Sequence, residues 1–296
     1  MFKLSELFEE VHQDGCFEVL GILDSKTSRP MLTFIESEKH IDQLMQKNNV
    51  TCVITNEETY RSLPKEHTFG VVISNDPRNT FFRLHNSLSI DACYKREQFP
   101  TKIGTDCQIS PLSCIAEHNV VIGNHVKIEE FVSIKENVVI GDNCMIRSGT
   151  VIGGCGFEFK KDGDAQYRVE HLGGVIIGHD VEIQHNCAID RAVYPWDDTK
   201  IGDYSKLDNL IHIGHAAKIG NNVMMPALSV IGGRTEIKDH AWIGIGSVIR
   251  NGLVIGTHAR TNMGAVVTKD VADHQAVTGN FAIEHKKFIE KLKKEN

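Results

Sequence analysis

The chain has 296 residues and a mass of 33.0 kDa, with 41% hydrophobic and 24% charged side chains. This is the composition of a globular protein of one large or two ordinary domains, and no run of eighteen apolar residues is present to span a membrane. A net charge of −7 argues against nucleic-acid binding, which needs a broad basic surface. The amino terminus has no apolar stretch of signal-peptide length, so we expect a cytoplasmic protein.

The first hundred residues alternate between two kinds of segment. Runs rich in β-branched and apolar residues lie at 16–23, 30–35, 50–56 and 69–75, and helix-like stretches lie near 37–48, 57–62 and 77–88. This alternation predicts a small α/β domain over residues 1–100.

From residue 101 onward, an aliphatic side chain recurs at every sixth position. The longest unbroken run begins at Ile201 and ends at Ile255. A helix would give a period of 3.6 and an ordinary strand a period of 2, whereas a period of six is typical of the hexapeptide class of parallel β-helix. Glycine often follows the aliphatic residue, which predicts left-handed backbone at tight corners. The sequence therefore predicts a β-helix over residues 101–280, with three hexads in each triangular coil.

Two polar and aromatic segments interrupt this ladder, at 154–174 and 191–200. We expect them to be loops extruded from the β-helix. In repeat folds such insertions tend to lie on a functional face. The alternative is that either segment is a surface loop without a functional role. Residues 281–296 predict a basic amphipathic helix, on which Phe281 and Phe288 would lie near one another.

The richest polar segment of the ladder contains His215. This residue lies two positions past Ile213, so we expect it just beyond a corner, pointing away from the packed interior, where an imidazole can act as a base. Gly233 lies one coil of eighteen residues later and should stack on it. A glycine lets a ligand approach the backbone closely, and its N–H can stabilise an oxyanion. The alternative is a solvated surface histidine, because the chain has fifteen histidines.

No metal site is predicted. Histidine pairs such as His212 and His215 lack a decisive zinc-ligand spacing, and the eight cysteines include no CxxC pair, so we expect reduced thiols. His240 and His258 are eighteen residues apart, which predicts that they stack on the surface.

Three segments resemble a known family. GTVIGGCGF (149–157), IDRA followed by DDTKIGD (189–203) and LDNLIHIGH (207–215) resemble the LpxD-type UDP-3-O-(3-hydroxyacyl)glucosamine N-acyltransferases of lipid A biosynthesis. A less specific amino-terminal pattern extends the likeness to nearly the whole chain. The resemblance implies a mainly β fold: a left-handed parallel β-helix of hexapeptide repeats with a small N-terminal α/β domain and a C-terminal helix. It also implies a homotrimer with active sites between subunits.

The resemblance further implies transfer of a 3-hydroxyacyl chain from acyl carrier protein to the 2-amino group of a UDP-linked glucosamine, with no permanently bound cofactor. His215 falls on the family's catalytic histidine, and Gly233 falls on the glycine whose amide serves the oxyanion. Asp208 and Asn209 fall on a neighbouring polar pair. Phe34 falls where the family stacks an aromatic ring on uracil, and a core position is the alternative for this residue.

The chain departs from the family pattern at three positions. Ser37 replaces the asparagine that contacts uracil, His40 replaces a nearby tyrosine, and Gly252 stands where a second active-site histidine is expected. Residues 264–282 are more similar to the endings of hexapeptide acetyltransferases that use acetyl-CoA. An acetyl-CoA-dependent N-acetyltransferase of a nucleotide-linked amino sugar, for O-antigen or capsule, is therefore the alternative activity.

Two further readings stay open. A non-catalytic β-helix binding protein would show regular repeated polar side chains on a flat face, and a γ-type carbonic anhydrase would need bound zinc. The lysines of residues 281–296 would either dock an acidic carrier protein or pack on the end of the trimer.

Overall fold

The computed structural model describes residues 1–279 and 282–295. They form two compact units, which are described separately. The first unit comprises Met1–Gln98, Cys155–Gly173 and Ala192–Asp197, and the second comprises Phe99–Gly154, Gly174–Arg191 and Asp198–Asn296. In the described ranges, no helix has both the length and the apolar character needed to cross a membrane.

The first unit contains a four-stranded parallel sheet whose strands follow one another in chain order. The strands are Val19–Leu20, Met31–Ile35, Val50–Thr55 and Gly70–Ile73, and the helices are α1 (Leu4–Leu7), α2 (Ile41–Met45), α3 (Glu57–Arg61) and α4 (Pro77–Leu88). A 3-10 turn covers Glu38–His40, and Phe2–Lys3 pairs antiparallel with Cys16–Phe17. The α/β alternation expected from the sequence is confirmed, whereas the short helix α1 was not predicted.

Helix α4 begins where its sequence provides a cap. The Asp76 carboxylate accepts a hydrogen bond from the Asn79 N–H at 3.0 Å, and Pro77 occupies the first helical position, where its missing N–H costs nothing. Phe81 and Phe82 on this helix are buried with Phe17 in the core of the unit.

The two segments that interrupt the ladder pack with this first unit. Residues 159–168 form an antiparallel hairpin, Phe159–Asp162 with Ala165–Arg168. The Asn86 side chain on α4 donates to the Arg168 carbonyl at 2.8 Å and accepts from the Glu170 N–H at 3.0 Å. Val169, Val193 and Tyr194 are buried in the same cluster as Phe81. These segments were expected to belong to the β-helix domain, but residues 155–173 and 192–197 group with the first unit. Asn86 of α4 bonds to the backbone of the first segment, and Arg96 bonds to the Pro195 and Asp197 carbonyls of the second.

The second unit is a β-helix with three parallel sheets, called faces 1, 2 and 3. Face 1 contains Lys102–Ile103, Val120–Ile122, Val138–Ile140, Gly174–Ile177, Asp198–Ile201, Lys218–Ile219, Glu236–Ile237 and Val254–Ile255. Face 2 contains Gln108–Ile109, Lys127–Ile128, Met145–Ile146, Glu182–Ile183, Lys206–Leu207, Met224–Met225, Trp242–Ile243, Arg260–Thr261 and Ala276–Val277. Face 3 contains Cys114–Ile115, Ser133–Ile134, Val151–Gly154, Ala188–Asp190, His212–Ile213, Val230–Ile231, Val248–Ile249 and Val266–Val267.

The hexad ladder sets the register of these sheets. On face 3, Ile189 pairs with Ile213, and Ile213 pairs with Ile231, so each aliphatic side chain lies directly above the next. The ladder residues from Ile122 to Ile255 form one continuous buried core. Small residues such as Ser205 and Ala217 lie between the ladder positions and are also buried. The predicted hexapeptide architecture is confirmed.

The corners differ from the expectation for glycine. At most corners the left-handed φ falls two residues after the corner glycine, as at His125 after Gly123 and at Asn222 after Gly220, whereas Gly153 has a left-handed φ itself. The glycine is required for another reason. A Cβ on Gly123 would lie 2.8 Å from the backbone of Gly141 and Asp142 in the next coil. Glycine therefore allows the stacked corners to approach one another.

Helix α5 covers His285–Glu295. Of the predicted amphipathic face, Phe281 lies outside the described residues, as do the side chains of Phe288 and Leu292. The basic amphipathic character of this helix stays a prediction.

Candidate active site

The candidate site lies where the chain turns from face 3 to face 1. His215 follows the face 3 strand His212–Ile213, and its exposed fraction is only 9%. The sequence analysis placed this side chain on the outside of the prism, pointing away from the interior. The ring is instead nearly covered, because it folds along the prism wall toward the next coil.

Gly233 provides the space for this ring. A Cβ built on Gly233 would lie 2.6 Å from Nε2 of His215 and 2.9 Å from its Cδ2 and Cε1. No side chain fits there unless the imidazole moves. His215 and Gly233 therefore stack in adjacent coils as expected, with the imidazole ring lying directly against the glycine. Among the described residues, the Gly233 N–H donates no hydrogen bond, while its carbonyl accepts from Gly252.

An acidic side chain that the sequence analysis did not single out faces the two histidines of this corner. Asp190 ends the face 3 strand Ala188–Asp190, and its Oδ2 lies 3.8 Å from Nε2 of His212. Burial raises the pKa of Asp190 above its ordinary value, and the positive charges that His212 and His215 can carry oppose this rise. The sequence signal was available: Asp190 occupies the position after a ladder isoleucine, where half of the hexads have glycine.

Asp208 and Asn209 lie at a different corner, between faces 2 and 3. Asp208 accepts from the Asn209 N–H at 2.7 Å and from the Ala227 N–H at 3.1 Å. The Asn209 side-chain oxygen accepts from the His185 N–H at 3.0 Å. Within one chain, the bonds to Ala227 and His185 join successive coils, and they do not bring the pair together with His215.

Face 3 carries an apolar column that starts at this site. Outward side chains in register with His212 in the following coils are Val230, Val248 and Val266. Their exposed fractions are 36%, 41% and 72%. Since parallel strands lie about 4.8 Å apart, the three valines line about 10 Å of surface along the helix axis.

In the first unit, Phe34 is half-buried in the strand Met31–Ile35. Its ring lies 5.0 Å from that of Phe81, and the Arg78 guanidinium carbon lies 5.8 Å from its centroid. Ser37 precedes the 3-10 turn, and His40 ends it on the surface. One part of the Phe34 ring packs on the core, and another part reaches the surface. This position agrees both with stacking on uracil and with packing in the core.

Other histidines form a surface stack. The rings of His240 and His258 lie 4.6 Å apart and nearly parallel, as expected, and His274 continues the stack at 5.1 Å. Within residues 1–279 and 282–295, no three His, Cys, Asp or Glu side chains are grouped so that they could hold a metal ion.

Comparison with known proteins identifies the repeat. Residues 119–154 match the family described as bacterial transferase hexapeptide (six repeats). A 73-residue segment is 51% identical to UDP-3-O-acylglucosamine N-acyltransferase 2 of Legionella pneumophila, covering 25% of this chain and 21% of that protein. A 102-residue segment is 39% identical to UDP-3-O-acylglucosamine N-acyltransferase of Pseudomonas putida, covering 34% and 28%. The chain thus matches only 21% and 28% of the length of these two relatives.

Solved structures extend the likeness to the fold. UDP-N-acetylglucosamine acyltransferase of Arabidopsis superposes with a TM-score of 0.54 at 26% identity, over 60% of this chain and 61% of that one. The Campylobacter jejuni enzyme of the same name also gives 0.54, at 20% identity, over 66% and 78%. The mainly β fold expected from the sequence, a left-handed parallel β-helix of hexapeptide repeats, is confirmed, and so is the resemblance to acyltransferases of UDP-linked glucosamines.

Proposed function

We propose that this chain is an N-acyltransferase that moves an acyl group from a thioester to the amino group of a UDP-amino sugar, in lipid A-type biosynthesis. The favoured donor is a 3-hydroxyacyl group on acyl carrier protein. The observation that carries the proposal is the environment of His215, whose ring lies against Gly233 and faces Asp190 at one corner of the β-helix. Homologous segments occur in UDP-3-O-acylglucosamine N-acyltransferases.

In this proposal His215 is the general base. It takes a proton from the sugar amine while the amine nitrogen attacks the thioester carbonyl carbon, a contribution of roughly 10² to 10⁴ in rate. The Gly233 N–H, which has no partner among the described residues, donates to the oxyanion that develops on the carbonyl oxygen. The tetrahedral intermediate then releases the thiolate, which takes up a proton, and leaves an amide on the sugar. Ionised Asp190 stabilises the imidazolium formed in the first step.

The nucleotide would bind in the first unit. The part of the Phe34 ring that reaches the surface is available to stack on uracil, with Arg78 close by to balance negative charge. Ser37 and His40 follow directly and would contact the base or ribose through a hydroxyl and an imidazole.

A homotrimer would complete the site. Asp208 and Asn209 lie at another corner of the same prism, so they can act beside His215 only if a second copy of the chain presents that corner. This separation supports active sites built between subunits.

The valine column favours a long acyl donor. Val230, Val248 and Val266 offer an apolar track that an acetyl group would not need. The donor is a co-substrate, either acyl carrier protein or a coenzyme A thioester, and no permanent cofactor is proposed. The lysines of α5 would meet an acidic carrier protein, and we place the enzyme in the cytoplasm.

A donor competition tests the proposal. The purified protein is given a UDP-amino sugar together with acetyl-CoA and 3-hydroxyacyl carrier proteins of several chain lengths, and products are identified by mass spectrometry. Transfer from the carrier protein is expected. Transfer from acetyl-CoA alone would establish the nucleotide-sugar N-acetyltransferase instead. An absence of transfer from every donor, with His215→Ala indistinguishable from the parent, would contradict the enzyme assignment.

A further inference from the structure

The peptide group that follows His215 is held from both sides. The His215 carbonyl accepts a hydrogen bond from the Arg234 N–H in the next coil, at 2.8 Å. The N–H of the same peptide group belongs to Ala216 and donates to the Thr199 hydroxyl, also at 2.8 Å. Because both ends of this peptide plane are fixed, the backbone that carries the imidazole cannot rotate freely.

This corner differs from the others in the β-helix. Other left-handed, non-glycine corner residues donate their N–H to a backbone carbonyl of an earlier coil, as Asn222 does to Asp203 at 2.8 Å and His240 to Asn221 at 2.9 Å. Ala216 differs: of the left-handed, non-glycine corner residues that the structure describes after the first coil, it alone donates its N–H to a side-chain oxygen and not to a backbone carbonyl.

The physical reason is the interruption of the preceding coil. The chain leaves the β-helix after Arg191, the residue that corresponds to His215 in the preceding coil, and it returns at Asp198. At this interruption the Ala216 N–H does not donate to the Arg191 carbonyl. Thr199, one residue after the return, supplies an oxygen in its place.

The Thr199 hydroxyl also fixes the acidic residue of the site. It donates its hydrogen to the Asp190 carbonyl at 2.6 Å, and so its lone pair is available to the Ala216 N–H. The side chain is fully buried, and no water competes for either bond. One hydroxyl thus links the backbone of Asp190 to the backbone that follows His215.

We propose that Thr199 is a positioning residue that holds His215 and Asp190 in a productive relative geometry. The proposal rests on the proposed function, because it assumes that His215 is the base. Because Thr199 is fully buried, we place it behind the site and not in contact with substrate. A shift of about 1 Å in a catalytic group can cost about 10²-fold in rate, which makes the orientation of this peptide group consequential.

The chain contains a closely matched control. Thr150 is also fully buried, donates to the Gln184 carbonyl at 2.6 Å and accepts from the Cys187 N–H at 3.1 Å. The same two kinds of bond are lost in Thr150→Val and in Thr199→Val. A difference in kcat between the two variants therefore reflects where the hydroxyl lies, because both variants lose the same kinds of stabilising hydrogen bond.

The test compares Thr199→Val, Thr199→Ser and Thr150→Val with the parent and with His215→Ala. We expect Thr199→Val to lower kcat by about tenfold or more while KM for both substrates stays within about twofold. Thr199→Ser should restore most of kcat, since it keeps the hydroxyl. Thr150→Val should lower the melting temperature to a similar degree with near-parental kcat. Equal kcat values for the two valine variants, or failure of serine to rescue, would overturn the role of Thr199.

A second measurement separates this proposal from the enzyme assignment. The imidazole resonances of His215 are observed by NMR in the folded variants without any substrate. They should shift or broaden in Thr199→Val and stay unchanged in Thr150→Val. A parent protein that transfers no acyl group would contradict the proposed function alone, whereas unchanged His215 resonances in Thr199→Val would overturn the positioning role in either case.

Discussion

The imidazole of His215 occupies the space that a side chain at position 233 would need. A methyl group on Gly233 would lie 2.6 Å from Nε2, well inside van der Waals contact. The glycine is thus required by the position of the histidine, whatever its N–H contributes to an oxyanion.

Gly233→Ala should therefore displace the imidazole. We expect a loss of about 10²-fold in kcat with a folded protein, because the ring is flexible enough to move aside but loses its alignment. Steady-state kinetics and circular dichroism measure the two effects. Gly154→Ala is the control, since its new methyl would meet Asp190 at an ordinary 3.8 Å. Near-parental turnover of Gly233→Ala would contradict the contact described.

Asp190→Asn should separate activity from stability. Burial holds the pKa of Asp190 above its ordinary value of 3.8, so the ionised form is penalised in the folded state. A group with a raised folded pKa stabilises the protein while it is protonated, and this stability is lost as the pH rises through that pKa.

Relative to the parent, the asparagine variant should therefore gain in melting temperature as the pH rises from about 4 toward neutrality. Its kcat should fall by about tenfold or more, because the imidazolium loses its counter-charge. Thermal unfolding across pH, together with kinetics, checks both parts. The quantity compared is the melting temperature of the variant minus that of the parent. A difference that is smaller at neutral pH than at acidic pH would be inconsistent with the raised pKa.

Phe34→Leu should weaken binding of the nucleotide sugar. Stacking of a base on an aromatic ring contributes about 1 to 3 kcal/mol, so KM for the UDP-amino sugar should rise by roughly 5- to 150-fold with little change in kcat. Leucine keeps apolar volume against Phe81. Phe82→Leu, in the buried part of the same cluster, measures the effect of packing alone. Equal KM values for the two variants would return Phe34 to a purely structural role.

Val248→Trp should shorten the acyl chain that the enzyme accepts. A bulky side chain midway along the valine column would block the track while leaving its first part open. Donors of graded chain length, analysed by mass spectrometry, should show the preference shifting to shorter chains. Val139→Trp is the control, because Val139 is comparably exposed, at 38%, on face 1. An unchanged preference in Val248→Trp would place the acyl chain elsewhere.

The sequence predicts most of the β-helix because the ladder itself specifies register. Ile213 and Ile231 are eighteen residues apart and lie in adjacent coils, so the stacking of His215 on Gly233 follows from counting. The same counting also separates Asp208 from His215, since Leu207 and Ile213 are successive ladder positions and belong to successive faces.

Other features depend on contacts that no local pattern reports. The hydrogen bond from Ala216 to Thr199 lies where the chain leaves the β-helix after Arg191 and returns at Asp198. The packing of residues 155–173 depends on Asn79 and Asn86, which are far away in sequence and bond to the backbone of that segment.

The first unit is assembled from three separate stretches of chain, and Val169, Val193 and Tyr194 from the later stretches fill its core. A fragment ending at Gln98 should therefore be poorly cooperative in thermal unfolding, in contrast to the full chain. On the ribosome, the amino-terminal sheet is made early, but its core closes only after residue 197 has emerged. The nascent amino-terminal third must therefore persist with an exposed apolar surface while several coils of the β-helix are still being synthesised.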